Sequence, residues 1–155
     1  MGDVGAQDRV EAVYRAVHPR LWRSLLAYTG DADLASDAEA EAFAQVIRRG
    51  DAVEDVAAWV WRSAFRIASG LLASRSSSLG DVDGPVSATH SMAEFLSLLS
   101  GLSAQQRACV ALRYVGEYTA PEIGDLLGTS AGTVRVQLNR AHAVLRESIT
   151  ESEHA

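Results

Sequence analysis

The sequence contains a single cysteine, no lysine and no long run of apolar residues. One cysteine cannot form an internal disulfide or a cysteine-built zinc site, and Cys109 stands beside Val110 and Leu112 on an apolar helix face, which predicts a buried thiol. No charge-free run approaches the roughly 18 residues that span a bilayer, and the N-terminus lacks a basic start followed by an apolar stretch. We therefore expect a cytoplasmic protein without membrane insertion.

Signs of covalent chemistry are also missing from the sequence. His18, His90, His142 and His154 show no metal-ligand spacing, and neither a nucleophile motif nor a phosphate-binding loop occurs. The sequence therefore predicts a protein that is not an enzyme, with no catalytic residues, no metal and no cofactor.

Proline and aromatic residues are scarce, at three prolines and 6% aromatic side chains in 155 residues. Long alanine-rich runs without β-branched alternation favour an all-α fold, and the length fits one domain or two small ones. Apolar periodicity predicts helices near residues 8–28, 33–49, 55–73, 91–101 and 103–115. Pro19 is expected to kink or split the first of them.

The periodicity breaks after the third helix, where the chain is rich in Ser, Gly and Asp and contains Pro85. Such a segment has too little apolar surface to pack. We predict two small helical domains, residues 5–74 and 91–150, joined by a flexible linker at residues 75–90.

The net charge of −6 argues against a nucleic-acid partner, since DNA-binding domains usually carry a basic excess. The charges are segregated, however: acidic residues crowd residues 31–41, and arginines crowd residues 62–75 and 135–146. The planar guanidinium suits phosphate and base recognition. The overall acidity predicts weak binding to DNA by this chain alone.

Residues 118–149 have the pattern of a helix-turn-helix. Thr119 and Glu122 form a capping box at the start of a short helix, Gly128 fits its C-terminal end, and Ser130 can cap a second helix. Apolar residues recur along that second helix every three or four positions, at Val134, Leu138, Ala141, Leu145 and Ile149. The second helix of such a motif lies in the DNA major groove. The alternative is a helical hairpin with a solvated basic face.

The polar residues of this second helix lie off the apolar stripe. Arginine, glutamine and asparagine can reach phosphates or base edges through paired hydrogen bonds, and a valine can contact a thymine methyl group. The predicted contacts to duplex DNA are Thr133, Arg135, Val136, Gln137, Asn139 and Arg140.

The third helix carries two aromatic and two basic residues with a spacing of four, Trp61 with Phe65 and Arg62 with Arg66. We expect all four on the face opposite Ala68, where rings can stack on unpaired bases and guanidiniums can hold the backbone. The alternative is that both aromatic side chains complete the core of a small bundle.

The order of these parts resembles the bacterial RNA polymerase sigma factors of the extracytoplasmic-function (ECF) group, over residues 8–148. The strongest part is LSAQQRACVALRYVGEYTAPEIGDLLGTSAGTVRVQLNRAHAVLR, residues 102–146. This segment resembles the family's C-terminal domain, which binds the promoter element around minus thirty-five. The resemblance implies two helical domains and a variable linker.

The N-terminal half resembles the family in AWVWRSAFRIA, similar to its promoter-melting helix, where Trp59, Trp61 and Arg62 match. Arg48 and Arg49 fall at the start of the loop that captures the minus-ten element. The resemblance thus implies minus-ten contacts at Arg48, Arg49, Trp61, Arg62, Phe65 and Arg66.

The family's polymerase-binding helix corresponds to DAEAEAF. Its polymerase-binding residues match at Asp37, Glu41 and Phe43, whereas Ala38, Glu39 and Ala40 depart from the pattern. Further departures are Arg66 and Gly70 in the third helix, and Gln137 and His142 where arginine is common.

The resemblance implies a sigma factor that directs core RNA polymerase to specific promoters. Its implied partners are core RNA polymerase, promoter DNA and an anti-sigma factor or other regulatory protein. The alternative hypothesis is a sigma-like DNA-binding transcriptional regulator or protein-interaction module that has lost polymerase competence.

Overall fold

The computed structural model describes residues 2–77 and 90–154, and in these residues every regular element is helical. The chain divides into two compact units, Met1–Val82 and Asp83–Ala155. Most of the predicted linker, residues 78–89, lies outside the described residues. The all-α fold class is confirmed.

The first unit is built from three helices that pack pairwise on one another. They are α1 (Gly2–Thr29), α2 (Ala32–Arg49) and α3 (Val56–Ser77), and a 3-10 turn at Gly50–Ala52 follows α2. The split predicted at Pro19 does not occur, because α1 runs through it as one helix. Proline removes one backbone hydrogen bond, but the fully buried Leu21 and Leu25 hold the following turns against the core.

The junction between α1 and α2 is fixed by hydrogen bonds around Asp31. One carboxylate oxygen accepts from the backbone N–H groups of Asp33 and Leu34, at 2.8 and 3.1 Å, so Asp31 caps α2. The other accepts from the guanidinium of Arg75 at 2.8 Å. One half-buried side chain therefore caps α2 and joins it to the end of α3.

The second unit contains α4 (His90–Ser100), α5 (Ala104–Val110), α6 (Ala120–Leu127) and α7 (Ala131–His154). A capping box of Ser103 and Gln106 begins α5. The helix predicted over residues 103–115 changes form at Ala111, where a π-helical turn, Ala111–Val115, follows α5. Cys109 is buried in this unit as predicted, and burial raises the pKa of its thiol to about 11, so the thiol stays protonated at neutral pH.

The helix-turn-helix forms from α6 and α7. The capping box of Thr119 and Glu122 is complete, and Gly128 ends α6 with φ 74° in the left-handed region. The turn also depends on Gly124, where an added Cβ would lie 2.7 Å from the backbone oxygen of Thr129. The backbone of α6 approaches the start of α7 this closely only because residue 124 has no side chain.

This close approach leads to a stability prediction. Gly124→Ala should lower the free energy of unfolding by about 1–3 kcal/mol, because the backbone of the turn must move to admit the methyl group. Gly132→Ala is the matched control, since an added Cβ there meets only the Ser130 hydroxyl, at 3.8 Å. It should be neutral or stabilising by up to about 1 kcal/mol. Chemical unfolding followed by far-ultraviolet circular dichroism measures both, and equal stabilities would contradict the close contact.

Candidate functional site

The second helix of the helix-turn-helix, α7, separates a buried stripe from a solvent face. Val134, Leu138 and Ala141 are buried, whereas Arg135, Asn139 and Arg140 are exposed, as predicted. Val136, a large apolar side chain, is 46% exposed at the middle of the solvent face. The solvent face therefore presents an apolar centre with arginines on either side.

Two of the predicted DNA contacts are engaged within the protein. Thr133 is half-buried; its backbone N–H donates to the Ser130 hydroxyl at 3.0 Å, which confirms the N-cap, and its own hydroxyl oxygen accepts from Ser130 at 3.0 Å. Gln137 is also half-buried, and its side-chain amide donates to Gln105 of α5 at 3.3 Å. Both side chains lie at the border of the solvent face.

The expectation of an exposed aromatic pair on α3 is wrong. Trp61 and Phe65 are 3% and 2% exposed, and the Phe65 ring stacks on Tyr28 at 5.3 Å and on Trp61 at 6.4 Å. The physical reason is helical periodicity: Trp61 and Ala68 are seven residues apart, about two turns, so they share the inward face. The alternative interpretation, in which both aromatics complete the core, is the correct one.

The aromatic side chain that α3 does present to solvent is Trp59. It is half-buried, and the guanidinium carbon of Arg49 lies 5.5 Å from its ring centre, within cation–π range. Arg62 and Arg66 are exposed and share its side of the helix, three and seven residues on. That spacing was visible in the sequence and could have identified Trp59.

The α2 helix presents Asp37 and Glu41 on one exposed face, one turn apart, as predicted. Glu41 accepts hydrogen bonds from Gln45 at 3.2 Å and from Arg48 at 3.0 Å, and these bonds hold its carboxyl pKa below the ordinary value. Arg48, predicted as a DNA contact, is thus paired with a predicted polymerase contact.

Phe43 does not belong to the exposed face of α2. It is 7% exposed and meets Tyr14 of α1 edge to face, with ring centres 5.1 Å apart. The structure therefore corrects its role from a surface contact to a packing residue that holds α2 on α1.

The second unit contains an apolar groove of about 320 Å³ between α4, α5 and α7, lined by residues that include Phe95, Leu99, Leu145 and Ile149. At its edge the phenol of Tyr114 and the imidazole of His142 form a hydrogen bond of 2.6 Å. His142, one of the positions where arginine was expected, is therefore engaged at the groove.

The described ranges, residues 2–77 and 90–154, contain no group of three or more histidine, cysteine or acidic side chains that could hold a metal ion. Across those ranges no helix has both the length and the apolar character to cross a membrane.

Comparisons with known proteins agree with this architecture. Residues 92–143 match the family model "Sigma-70, region 4". No curated protein matches the sequence. Among solved structures, the chain is similar to the sigma factor RpoE in its complex with the anti-sigma factor NepR, from Bartonella quintana. The TM-score is 0.75 at 19% identity, over 90% of this chain and 96% of that one, so the likeness is one of fold.

The different burial of two tryptophans leads to a prediction. Trp61→Ala should lower the free energy of unfolding by about 3–5 kcal/mol, because it leaves a cavity beside Phe65. Trp59→Ala should cost about 1 kcal/mol, since its ring is half in solvent. Urea unfolding followed by circular dichroism compares the two variants, and similar losses would show that Trp59 is as much a core residue as Trp61.

Proposed function

We propose that the chain is a sigma factor that binds core RNA polymerase and directs it to specific promoters, because residues 92–143 match the model of sigma-70 region 4 and the fold is similar to that of a solved sigma factor. The observation that carries the proposal is the helix-turn-helix of region 4, whose second helix exposes a basic face with an apolar centre. The protein itself performs no covalent chemistry in this function.

Upstream recognition is assigned to the solvent face of α7. The guanidiniums of Arg135 and Arg140 lie on either side of Val136 and are placed to reach phosphates on both edges of the major groove. Val136 would meet a thymine methyl group, and Asn139 a base edge. Gln137 reaches the DNA only after releasing Gln105, so we place it second in importance.

Minus-ten recognition is assigned to the exposed part of α3 and the end of α2. Trp59 offers a ring on which an unpaired base can stack, while Arg49, Arg62 and Arg66 offer charges for the strand backbone. Trp61 and Phe65 contribute by holding α3 in the core. This assignment replaces the two buried aromatics with Trp59 as the stacking surface.

Polymerase docking is assigned to Asp37 and Glu41, whose exposed carboxylates can meet arginines of a partner. Because Arg48 pairs with Glu41, a partner cation at Glu41 would displace Arg48 and leave it available to the DNA backbone. Since core polymerase acts in the bacterial cytoplasm, the proposed function places the protein there. A regulatory partner such as an anti-sigma factor would act by covering these surfaces.

The second candidate is a sigma-like regulator that has lost polymerase competence. One observation favours it: on α2 the exposed Ala40 departs from the family's polymerase-binding pattern, and Glu41 is already engaged by Gln45 and Arg48. Reconstitution with cognate core polymerase and genomic DNA, followed by mapping of transcript starts, separates the two. Specific transcripts that depend on this protein support the sigma function, and their absence supports the regulator.

The DNA assignment predicts the effect of removing two charges from α7. The double variant Arg135→Ala/Arg140→Ala should bind promoter DNA more weakly with an unchanged fold, and its log–log salt slope should be smaller by about 2, because two phosphates are no longer neutralised. Arg146→Ala is the control on the same helix, about 16 Å from Arg135. Binding of the holoenzyme titrated over a range of salt concentrations measures this effect. An unchanged slope in the double variant would remove α7 from the interface.

The docking assignment predicts the effect of charge reversal on α2. Asp37→Arg/Glu41→Arg should weaken binding to core polymerase at least about tenfold, or ~1.4 kcal/mol, while the helix content stays the same. Asp51→Arg/Glu54→Arg changes the net charge equally at exposed positions outside α2 and serves as the control. Affinity for core polymerase without DNA is the measurement. Tight binding that ignores the reversals on α2 would mean that another surface docks.

A further inference from the structure

The α2 helix buries a carboxyl group where it packs against α1. Glu39 is 5% exposed, and one of its oxygens lies 2.6 Å from Nδ1 of His18 on α1. Its second oxygen has no hydrogen-bond partner among the described residues. Burying a carboxylate with one unpaired oxygen costs free energy. The interaction with His18 therefore offsets most of that cost.

The imidazole of His18 is held in place from its other side. The Tyr14 ring stacks on it at 4.8 Å and 17°, and Tyr14 also meets Phe43 of α2. The His18 side chain is 40% exposed, so solvent reaches its ring. Tyr14, His18, Glu39 and Phe43 thus form one cluster across the α1–α2 interface.

The other charged groups of the packed elements point to solvent or are paired elsewhere. On α1, Arg15 pairs with Glu11 at 2.7 Å, and on α2, Asp37 and Glu41 are exposed. The buried side chains of α3 are uncharged: Arg62 and Arg66 are exposed, and Arg75 pairs with Asp31. Asp51 in the 3-10 turn is exposed as well. His18 is therefore the basic side chain that contacts Glu39.

The direction of the pH dependence follows from this arrangement. Burial raises the pKa of the Glu39 carboxyl, while the charge of His18 and its hydrogen bond act in the opposite direction. A raised carboxyl pKa means that burial of Glu39 is least costly when it is protonated, and that stability is lost as the pH rises through that pKa. The hydrogen bond with His18 opposes that loss.

We propose that the His18–Glu39 pair makes the packing of α1 on α2 pH-dependent, firmer in mild acid than in mild alkali. Because Glu39 lies between Asp37 and Glu41 on the same helix, the pair also makes presentation of the docking face pH-dependent. This second half rests on the proposed function. In the proposed function this pair lies beneath the surface that meets the polymerase. We call the pair the His18–Glu39 lock.

The chain offers a direct reporter for the lock. Its three tryptophans, Trp22, Trp59 and Trp61, all lie in the first unit, so tryptophan fluorescence of the full chain follows that unit alone. Wild-type protein should unfold at a temperature at least about 4 °C lower at pH 8 than at pH 6, the shift expected from the loss of one interaction in a domain of this size.

Two variants separate titration from packing. Glu39→Gln keeps the shape and removes the buried charge, so it should abolish most of the difference between pH 6 and pH 8 and be more stable than wild type at pH 8. His18→Gln keeps a hydrogen-bond donor and leaves the Glu39 carboxyl to titrate, so the difference between pH 6 and pH 8 should remain. His142→Gln in the second unit is the control and should leave the wild-type profile unchanged. Parallel profiles for wild type and Glu39→Gln would overturn the proposal.

Affinity for core polymerase tests the second half. The ratio of wild-type to Glu39→Gln affinity should fall several-fold from pH 6 to pH 8. A constant ratio would confine the lock to stability and overturn its effect on docking. No binding by either protein at either pH would overturn the proposed function itself, while the unfolding profiles would still decide whether the lock exists.

Discussion

Each unit of this protein is held together by the burial of a few large apolar side chains, and this scarcity governs the rest of the structure. Only 6% of the residues are aromatic, so a small three-helix unit has few groups large enough to fill its centre. At that centre the Phe65 ring stacks on the rings of Tyr28 and Trp61. Short helices are not stable alone and depend on such packing. The functional surfaces are therefore built from what remains: arginines, acidic residues, the half-buried Trp59 and the exposed Val136.

The limits of sequence reasoning follow from the same physics. Capping boxes, the left-handed Gly128 and the apolar stripe of α7 depend on local chemistry, and each was predicted correctly. The fold class followed from periodicity and composition. The assignment of Trp61 and Phe65 failed because a seven-residue spacing was read as opposite faces. Tertiary packing produces the contact of Gln137 with Gln105 and the close approach at Gly124. No local sequence pattern predicts either of them.

The surface charges of the first unit are organised into pairs more than the sequence suggested. Glu41 with Arg48, Asp31 with Arg75 and Glu39 with His18 each join an acidic residue to a base of the same unit. The exposed pair of Glu41 and Arg48 contributes little to stability, since such pairs have a median of about 0–1 kcal/mol. All three pairs limit which charged side chains are available to a binding partner, because a charge paired within the protein must be released before it can contact another molecule. The chain has a net charge of −6, and these pairs leave fewer ionic groups available for indiscriminate contact with DNA.

The π-helical turn at Ala111–Val115 bears on how this domain could change in length during evolution. Its wider ring, closed by the N–H of Gly116 and the oxygen of Ala111 at 2.9 Å, takes up one more residue than an α-helical turn. Loss of one residue here would restore an ordinary helix without disturbing the capping box that begins α6. Glu117 then returns the chain direction through a positive φ of 62°. The helix-turn-helix is thus separated from α5 by a turn that already holds an extra residue, and we expect insertions and deletions to collect there rather than at the rigid turn of Gly124.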